Sequence, residues 1–363
     1  MNSNVPLNYM SNLLRFLIGK GQWLKPLVIS YCVTTMCNLN CRYCEDFGAR
    51  RNAAQPPPLP LPQARQLLAI IRQATDSLIF TGGEPLLYPH IEALVAYARQ
   101  ELRFRHLTII SNGTLLDRYL PSPSPGFTKD PKFAQSPEFT QGPKFAEGLL
   151  SEAKRSLKTD RPNLLDHIDR LIISLDSVDA ELWQTTLRAA PGTAAHILDN
   201  IQRAARLQNK SRLIIHCVVT PETLAQAKEV LNFCVEHDIG FSFSPQSVNN
   251  WPHYDLLTSN AYRAFVSHVI QAKRHGAPVL GSLPYLRTMY TFETYACYPL
   301  LAPRVMADGT LSYPCRPIER TQDAHGGRRV NLLAVKSWQA AIEQARAYYG
   351  DPPSMCSSCF QQC

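Results

Sequence analysis

The chain has 363 residues, a net charge of +8, 45% hydrophobic and 18% charged residues, enough for one large domain with a substantial core plus a small one. No run approaches the roughly 20 apolar residues of a bilayer span. The apolar cluster near 13–18 lacks a small-residue cleavage site, and no dense Lys/Arg block marks a nucleic-acid groove. The expectation is a cytoplasmic protein without a nucleic-acid partner. A disulfide framework for the eleven cysteines would need an oxidising compartment, which nothing in the sequence indicates, so their clustering points to metal.

In chain order, residues 1–27 read as a leader. Its segment 8–18 spaces Met10, Leu13, Leu14, Leu17 and Ile18 as a helix does, with Arg15 and Lys20 nearby. Such a segment either caps the domain or touches a membrane surface peripherally. Strand patterns follow at 27–34, 77–81, 106–111, 170–175, 212–220 and 240–244. Helical patterns lie between them at 62–74, 91–101, 193–208 and 224–237. This alternation predicts an α/β fold: a partial (β/α)6 TIM-type barrel over 28–250, with functional groups at the C-terminal ends of its strands. Residues 121–148 repeat a Pro-x-Phe unit every six residues and read as a low-complexity insertion after the third strand. Past a helix at 259–273 the alternation stops, which sets off residues 251–363 as a small C-terminal domain.

The first strand runs into Thr34-Thr35-Met36-Cys37-Asn38-Leu39-Asn40-Cys41-Arg42-Tyr43-Cys44. Three thiolates can hold three irons of a cubane and leave the fourth open to a small molecule, as open catalytic zinc sites do. A zinc site would need a fourth ligand, and no His or Cys follows closely. The second strand ends in Thr81-Gly82-Gly83-Glu84-Pro85, whose glycines would let backbone approach a ligand. The third ends in Ser111-Asn112-Gly113 and the fourth in Ser174-Leu175-Asp176-Ser177.

The C-x3-C-x2-C spacing with Tyr43 before its last cysteine, followed by Gly-Gly-Glu-Pro, resembles the radical S-adenosylmethionine (SAM) superfamily. The resemblance implies an enzyme whose [4Fe–4S] cluster sits on Cys37, Cys41 and Cys44 and binds SAM at the open iron. It further implies that Gly82, Gly83 and Glu84 hold the methionine amine and that Tyr43 lies against adenine. Ser174 and Arg188 would approach the carboxylate and Asn112 the ribose. A flavodoxin- or ferredoxin-type reductant would supply one electron, SAM would be cleaved, and a 5′-deoxyadenosyl radical would take hydrogen from the substrate. No catalytic side chain is nominated.

Cys297 and Cys315 flank a run, 305–313, that reads as a hairpin turning at Asp308-Gly309; Cys356, Cys359 and Cys363 follow. This arrangement resembles the twitch domain and the beginning of the longer SPASM domain. It implies one auxiliary [4Fe–4S] cluster on Cys297, Cys315, Cys356 and Cys359. Cys363 is an alternate ligand or a free thiol, and zinc on the same four cysteines is the competing reading. Such a cluster either accepts the electron left after hydrogen abstraction or is structural.

The expected substrate is a small metabolite, oxidised or rearranged. The alternatives are a peptide-modifying maturase, for which 27 leader residues leave little room for a recognition domain, a lipid or isoprenoid enzyme, and an iron–sulfur module without activity. Cys217, Cys234 and His216 are expected to be structural. Gln246, Trp251, His253, Tyr295 and Arg316 are candidate substrate contacts. No Ser/His/Asp set, Walker loop, dinucleotide fingerprint or cobalamin domain is visible.

Overall fold

Six segments rich in β-branched and aromatic residues pair side by side: β1 (Ile29–Thr34), β2 (Ser77–Gly82), β3 (His106–Ser111), β4 (Arg170–Ser174), β5 (Leu213–Val219) and β6 (Gly240–Pro245). Each pairs in parallel with the next in chain order. The computed structural model describes residues 8–19, 24–47, 57–120, 164–206, 213–249, 251–323 and 328–356. The insertion at 121–148 lies outside them, as do Cys359 and Cys363.

Both faces of the parallel sheet are covered, which explains the near-continuous apolar runs of β1 and β5. Helices α1 (Tyr9–Leu17), α2 (Leu61–Arg72), α3 (Ile91–Gln100), α4 (Ala180–Thr186), α5 (Thr193–Ala205), α6 (Leu224–Glu236) and α7 (Asn260–Arg274) precede, connect or follow the strands, α4 and α5 both between β4 and β5. Their apolar stripes face inward: Leu67, Leu68 and Ile71 of α2 and Val230, Leu231 and Cys234 of α6 are buried. Helix α4, absent from the sequence expectation, has only seven residues. Its start is nevertheless marked by Asp179, whose carboxylate accepts from the Glu181 and Leu182 amides.

Beyond residue 250 the chain rejoins the same sheet. β7 (Arg304–Val305) pairs in parallel with the outer edge of β1, and β8 (Thr310–Ser312) and β9 (Val330–Asn331) add antiparallel to it. The expected hairpin is present, with Val305 opposite Leu311 and Gly309 at φ +84° in the turn. The order is thus β9-β8-β7-β1-β2-β3-β4-β5-β6, open at β6, as a partial barrel should be. Val305, Leu311, Val330 and Trp338 belong to the same core as Ile29, Phe80 and Ile215. Among the described residues beyond 250, β7, β8, β9 and Trp338 thus share the sheet or core of the barrel.

The leader helix packs on the body through its asparagines. Asn8 Nδ2 donates to the Pro26 and Ala74 carbonyls, while Asn12 exchanges bonds with the Lys25 backbone. Among the described residues no helix is long and apolar enough to cross a membrane.

Candidate active site at the C-terminal mouth of the sheet

Strand β1 ends at Thr34 and opens into the loop carrying Cys37, Cys41 and Cys44. The Gly82–Glu84 stretch at the end of β2 runs directly against it: the Gly83 amide donates to the Thr34 carbonyl (2.9 Å) and the Glu84 amide to Met36 (2.7 Å). A Cβ on Gly82 would lie 2.2 Å from the Thr34 carbonyl oxygen, and one on Gly83 2.1 Å from that of Met36. This close approach is to the cysteine loop, so the second motif is the bed on which the first rests.

Glu84 follows the two glycines. It is wholly buried and takes three hydrogen bonds, from the Leu86 amide and Ser111 hydroxyl on one oxygen and the Asn112 amide on the other. Burial raises its pKa to about 7, although these donors pull it down. The carboxylate ties the end of β2 to that of β3; Thr81 and Gly82, rather than Glu84, line the neighbouring cavity.

The three thiols feel one another's charge, Cys41 through both Cys37 and Cys44. Burial raises the thiols of Cys37, to about 11, and of Cys41. Amides aim at two of the sulfurs: Leu39 N–H at Cys37 Sγ (3.5 Å) and Phe47 N–H at Cys44 Sγ (3.4 Å), with Asn112 Nδ2 3.8 Å from Cys37 Sγ. Buried thiols cost free energy to ionise unless a cation offsets the charge, and N–H···S bonds favour the thiolate. This donor set fits an iron–sulfur cluster. Among the described residues no three His, Cys, Asp or Glu groups converge as a single metal ion requires; a cubane, with irons at separate corners, needs a wider spread.

Asn112 clamps the loop. Its amide donates to Asn38 Oδ1 (2.9 Å), and its own oxygen accepts from the Thr114 amide and hydroxyl. The Tyr43 hydroxyl donates to Asp176 beyond β4, and the other Asp176 oxygen accepts from the Val218 amide (2.7 Å). Burial raises the Asp176 pKa to about 6. Ser174 lies opposite His216 in the sheet, and Arg188 is exposed after α4 at φ +50°. Neither lines the cavity beside Cys44.

That cavity, of about 200 Å³, is walled by Tyr43, Cys44, Glu45, Asp46, Ser244 and Arg304 among others. Asp46 is held from both sides, by Arg304 and by Arg316 (3.2 Å each), and Arg316 also binds Glu319 (2.8 Å). Arg316, a candidate substrate contact by sequence, is thus a strut between the cysteine loop and the C-terminal segment. Ser244 is held by His216, whose Nε2 is 3.1 Å from its hydroxyl and whose Nδ1 is 2.9 Å from that of Ser242. The Ser242 hydroxyl also lies 3.3 Å from the Ile215 carbonyl. Ser244 lines the cavity. Burial lowers the His216 pKa to about 4, which keeps the ring neutral. Of the other nominated contacts, His253 caps a short helix by accepting from the Asp255 amide, Trp251 is exposed, and Gln246 is buried without lining the cavity.

The C-terminal cysteines are partly drawn together. Tyr295–Ala296 and Met355–Cys356 form a two-stranded ribbon, and the Cys297 amide donates to the Ser354 carbonyl (2.9 Å). Cys356 stands opposite Tyr295, two residues before Cys297 on the facing strand. Cys315 follows β8, at the start of the segment that carries Arg316.

The Radical SAM superfamily profile matches residues 31–123. The chain is 37% identical over 93 residues to the GTP 3′,8-cyclase of Chlorobaculum tepidum, which is 25% of this chain and 27% of that protein. It is 28% identical over 259 residues to the GTP 3′,8-cyclase of Mycobacterium marinum, covering 69% and 60% of the two. The chain thus spans between about a quarter and three fifths of these curated relatives. Among solved structures, anSMEcpe with bound AdoMet superposes with a TM-score of 0.55 over 89% of this chain and 82% of that one at 14% identity, a likeness of fold.

Proposed function

Because this chain belongs to the radical SAM superfamily, we propose that it takes a hydrogen atom from a small polar metabolite at the cavity beside Cys44, with Cys37, Cys41 and Cys44 as ligands of the cluster. The family uses a [4Fe–4S] cluster and SAM, which together supply a 5′-deoxyadenosyl radical for that abstraction. The observation that carries the reading is the placement of the Cys37–Cys44 loop at the C-terminal mouth of the parallel sheet, directly over a cavity.

The chain's own groups have definable tasks. Gly82 and Gly83 set the loop height, Asn112 and the Leu39 and Phe47 amides orient the sulfurs, and Asp176 holds Tyr43 at the cavity wall. Ser244 offers a hydroxyl to a polar ligand, and Arg304 with Glu45 and Asp46 makes the wall charged. This mixed wall favours a polar substrate over a hydrocarbon chain. The names of the relatives place a purine nucleotide among the compounds to assay first. Cys297, Cys315 and Cys356, with Cys359 or Cys363, are proposed to hold an auxiliary cluster, supported by the ribbon that carries Cys356 two residues along from the Cys297–Ser354 bond. An external one-electron donor completes the scheme.

The test is isotope transfer. Candidate metabolites labelled with deuterium, GTP among them, are incubated with reconstituted enzyme, SAM and reductant. Deuterium in 5′-deoxyadenosine identifies the substrate; label appearing only from peptides or lipids would reject the small-metabolite reading.

A further inference from the structure

We propose that α1 is a membrane-surface foot that seats this enzyme on anionic lipid. The helix is attached in an unusual sense. Its hydrogen bonds to the body run through Asn8 and Asn12, both buried and both bonded to backbone of the 25–26 and 74 positions. Its large apolar side chains stay largely in water: Tyr9, Met10, Leu13, Leu14, Phe16, Leu17 and Ile18 are all exposed, Met10 by 68% and Leu17 by 72%. Leaving seven such groups in water forgoes the burial that normally fixes a short helix, since isolated helices of this length are marginal. A helix lying in the interface plane, with its apolar side chains in the acyl boundary, recovers that burial.

The charge pattern selects the occupant. Residues 1–44 contain Arg15, Lys20, Lys25 and Arg42 and no Asp or Glu; the first acid is Glu45. A second copy of this chain would bring an equally basic, acid-free leader against the first. An anionic lipid surface instead attracts the cations of this segment, Arg15 of the helix itself among them. Phe16 meets Tyr298 edge-on at 5.9 Å, so the foot is braced against the C-terminal segment and follows the body. This inference is independent of the proposed chemistry.

The test is co-sedimentation of the full chain with vesicles of phosphatidylcholine alone or with roughly a third phosphatidylglycerol. The wild type is expected to pellet with the anionic vesicles, to be released by salt, and to stay in solution with the neutral ones. Leu14→Glu/Leu17→Glu is expected to lower the bound fraction by roughly tenfold or more while keeping the wild-type melting transition. Met10→Asp, alone on an equally exposed position, serves if the double variant melts early. Failure of the wild type to pellet with either vesicle overturns the proposal, as does equal pelleting of variant and wild type or equal binding to neutral lipid. So does a concentration-dependent dimer that the variants dissociate in the absence of vesicle binding.

Discussion

Gly83 lies so close to Met36 that a Cβ on the glycine would sit 2.1 Å from the Met36 carbonyl oxygen. The contact couples the two motifs that define the site. The Glu84 amide bonds to the same carbonyl, so the residue after Gly83 reads the position of the residue before Cys37. Substitution of Gly83 by alanine must push the cysteine loop off its bed, because the opposing atom is backbone. We expect Gly83→Ala to keep its far-ultraviolet circular dichroism and to lose about 1–3 kcal/mol of stability. Iron per chain and cluster absorbance after anaerobic reconstitution should fall in parallel. Wild-type iron content in that variant would show that the contact does not set the loop.

The cysteines are expected to divide into two classes. Replacing Cys37, Cys41 or Cys44 by alanine should remove the SAM-cleaving cluster. Cys217 and Cys234 are fully buried in the core, so alanine there should cost roughly 1–2 kcal/mol and leave iron unchanged. With an auxiliary cluster the wild type should bind about eight irons per chain, and Cys297→Ala about four. Four irons in the wild type would remove the auxiliary cluster from the account.

His216 gives a pH signature. Its folded pKa is lowered to about 4, against an ordinary value of 6.5, so the unfolded chain binds a proton that the folded chain refuses. The resulting stability is present above pH 6.5 and is lost as pH falls toward 4. Between pH 7 and 5 the wild type should therefore lose about 2 kcal/mol more than His216→Gln. Urea midpoints at the two pH values measure this; equal losses would mean that the ring is not buried neutral between Ser242 and Ser244.

Asp46 joins regions far apart in sequence, 258 residues to Arg304 and 270 to Arg316. Asp46→Asn leaves two guanidinium groups short of a carboxylate, and we expect a loss of roughly 1–3 kcal/mol. Arg316→Ala should cost more than Arg304→Ala, because Arg316 is the more buried and holds Glu319 as well. Thermal melts of the three variants rank these contributions.

The strands and the cysteine loop were legible because both are local patterns. β3 matches its expected span, and the others agree to within a few residues at their ends, because each is an apolar run bounded by turn residues. Helix α4 was missed because seven residues show too little period, although Asp179 was available as a cap signal. The Asp46 bridge was illegible because no local pattern links residues so distant. The Ser242–His216–Ser244 arrangement was half-visible: two serines at i and i+2 share a face of β6, but only register brings His216 between them. The hydrogen bonds of Glu84 were not legible, because the sequence shows only that it follows two glycines. The structure gives those glycines to the cysteine loop and the carboxylate to Ser111 and Asn112.

The central claim is that Cys37, Cys41 and Cys44 hold the cluster that cleaves SAM. The most direct measurement is 5′-deoxyadenosine formation by anaerobically reconstituted full chain with SAM and dithionite, beside Cys37→Ala/Cys41→Ala/Cys44→Ala. Steady formation is expected of the wild type and none above background of the triple variant, in which any remaining iron is expected on the C-terminal cysteines. Equal formation by the two proteins, or none by an iron-replete wild type, would contradict it.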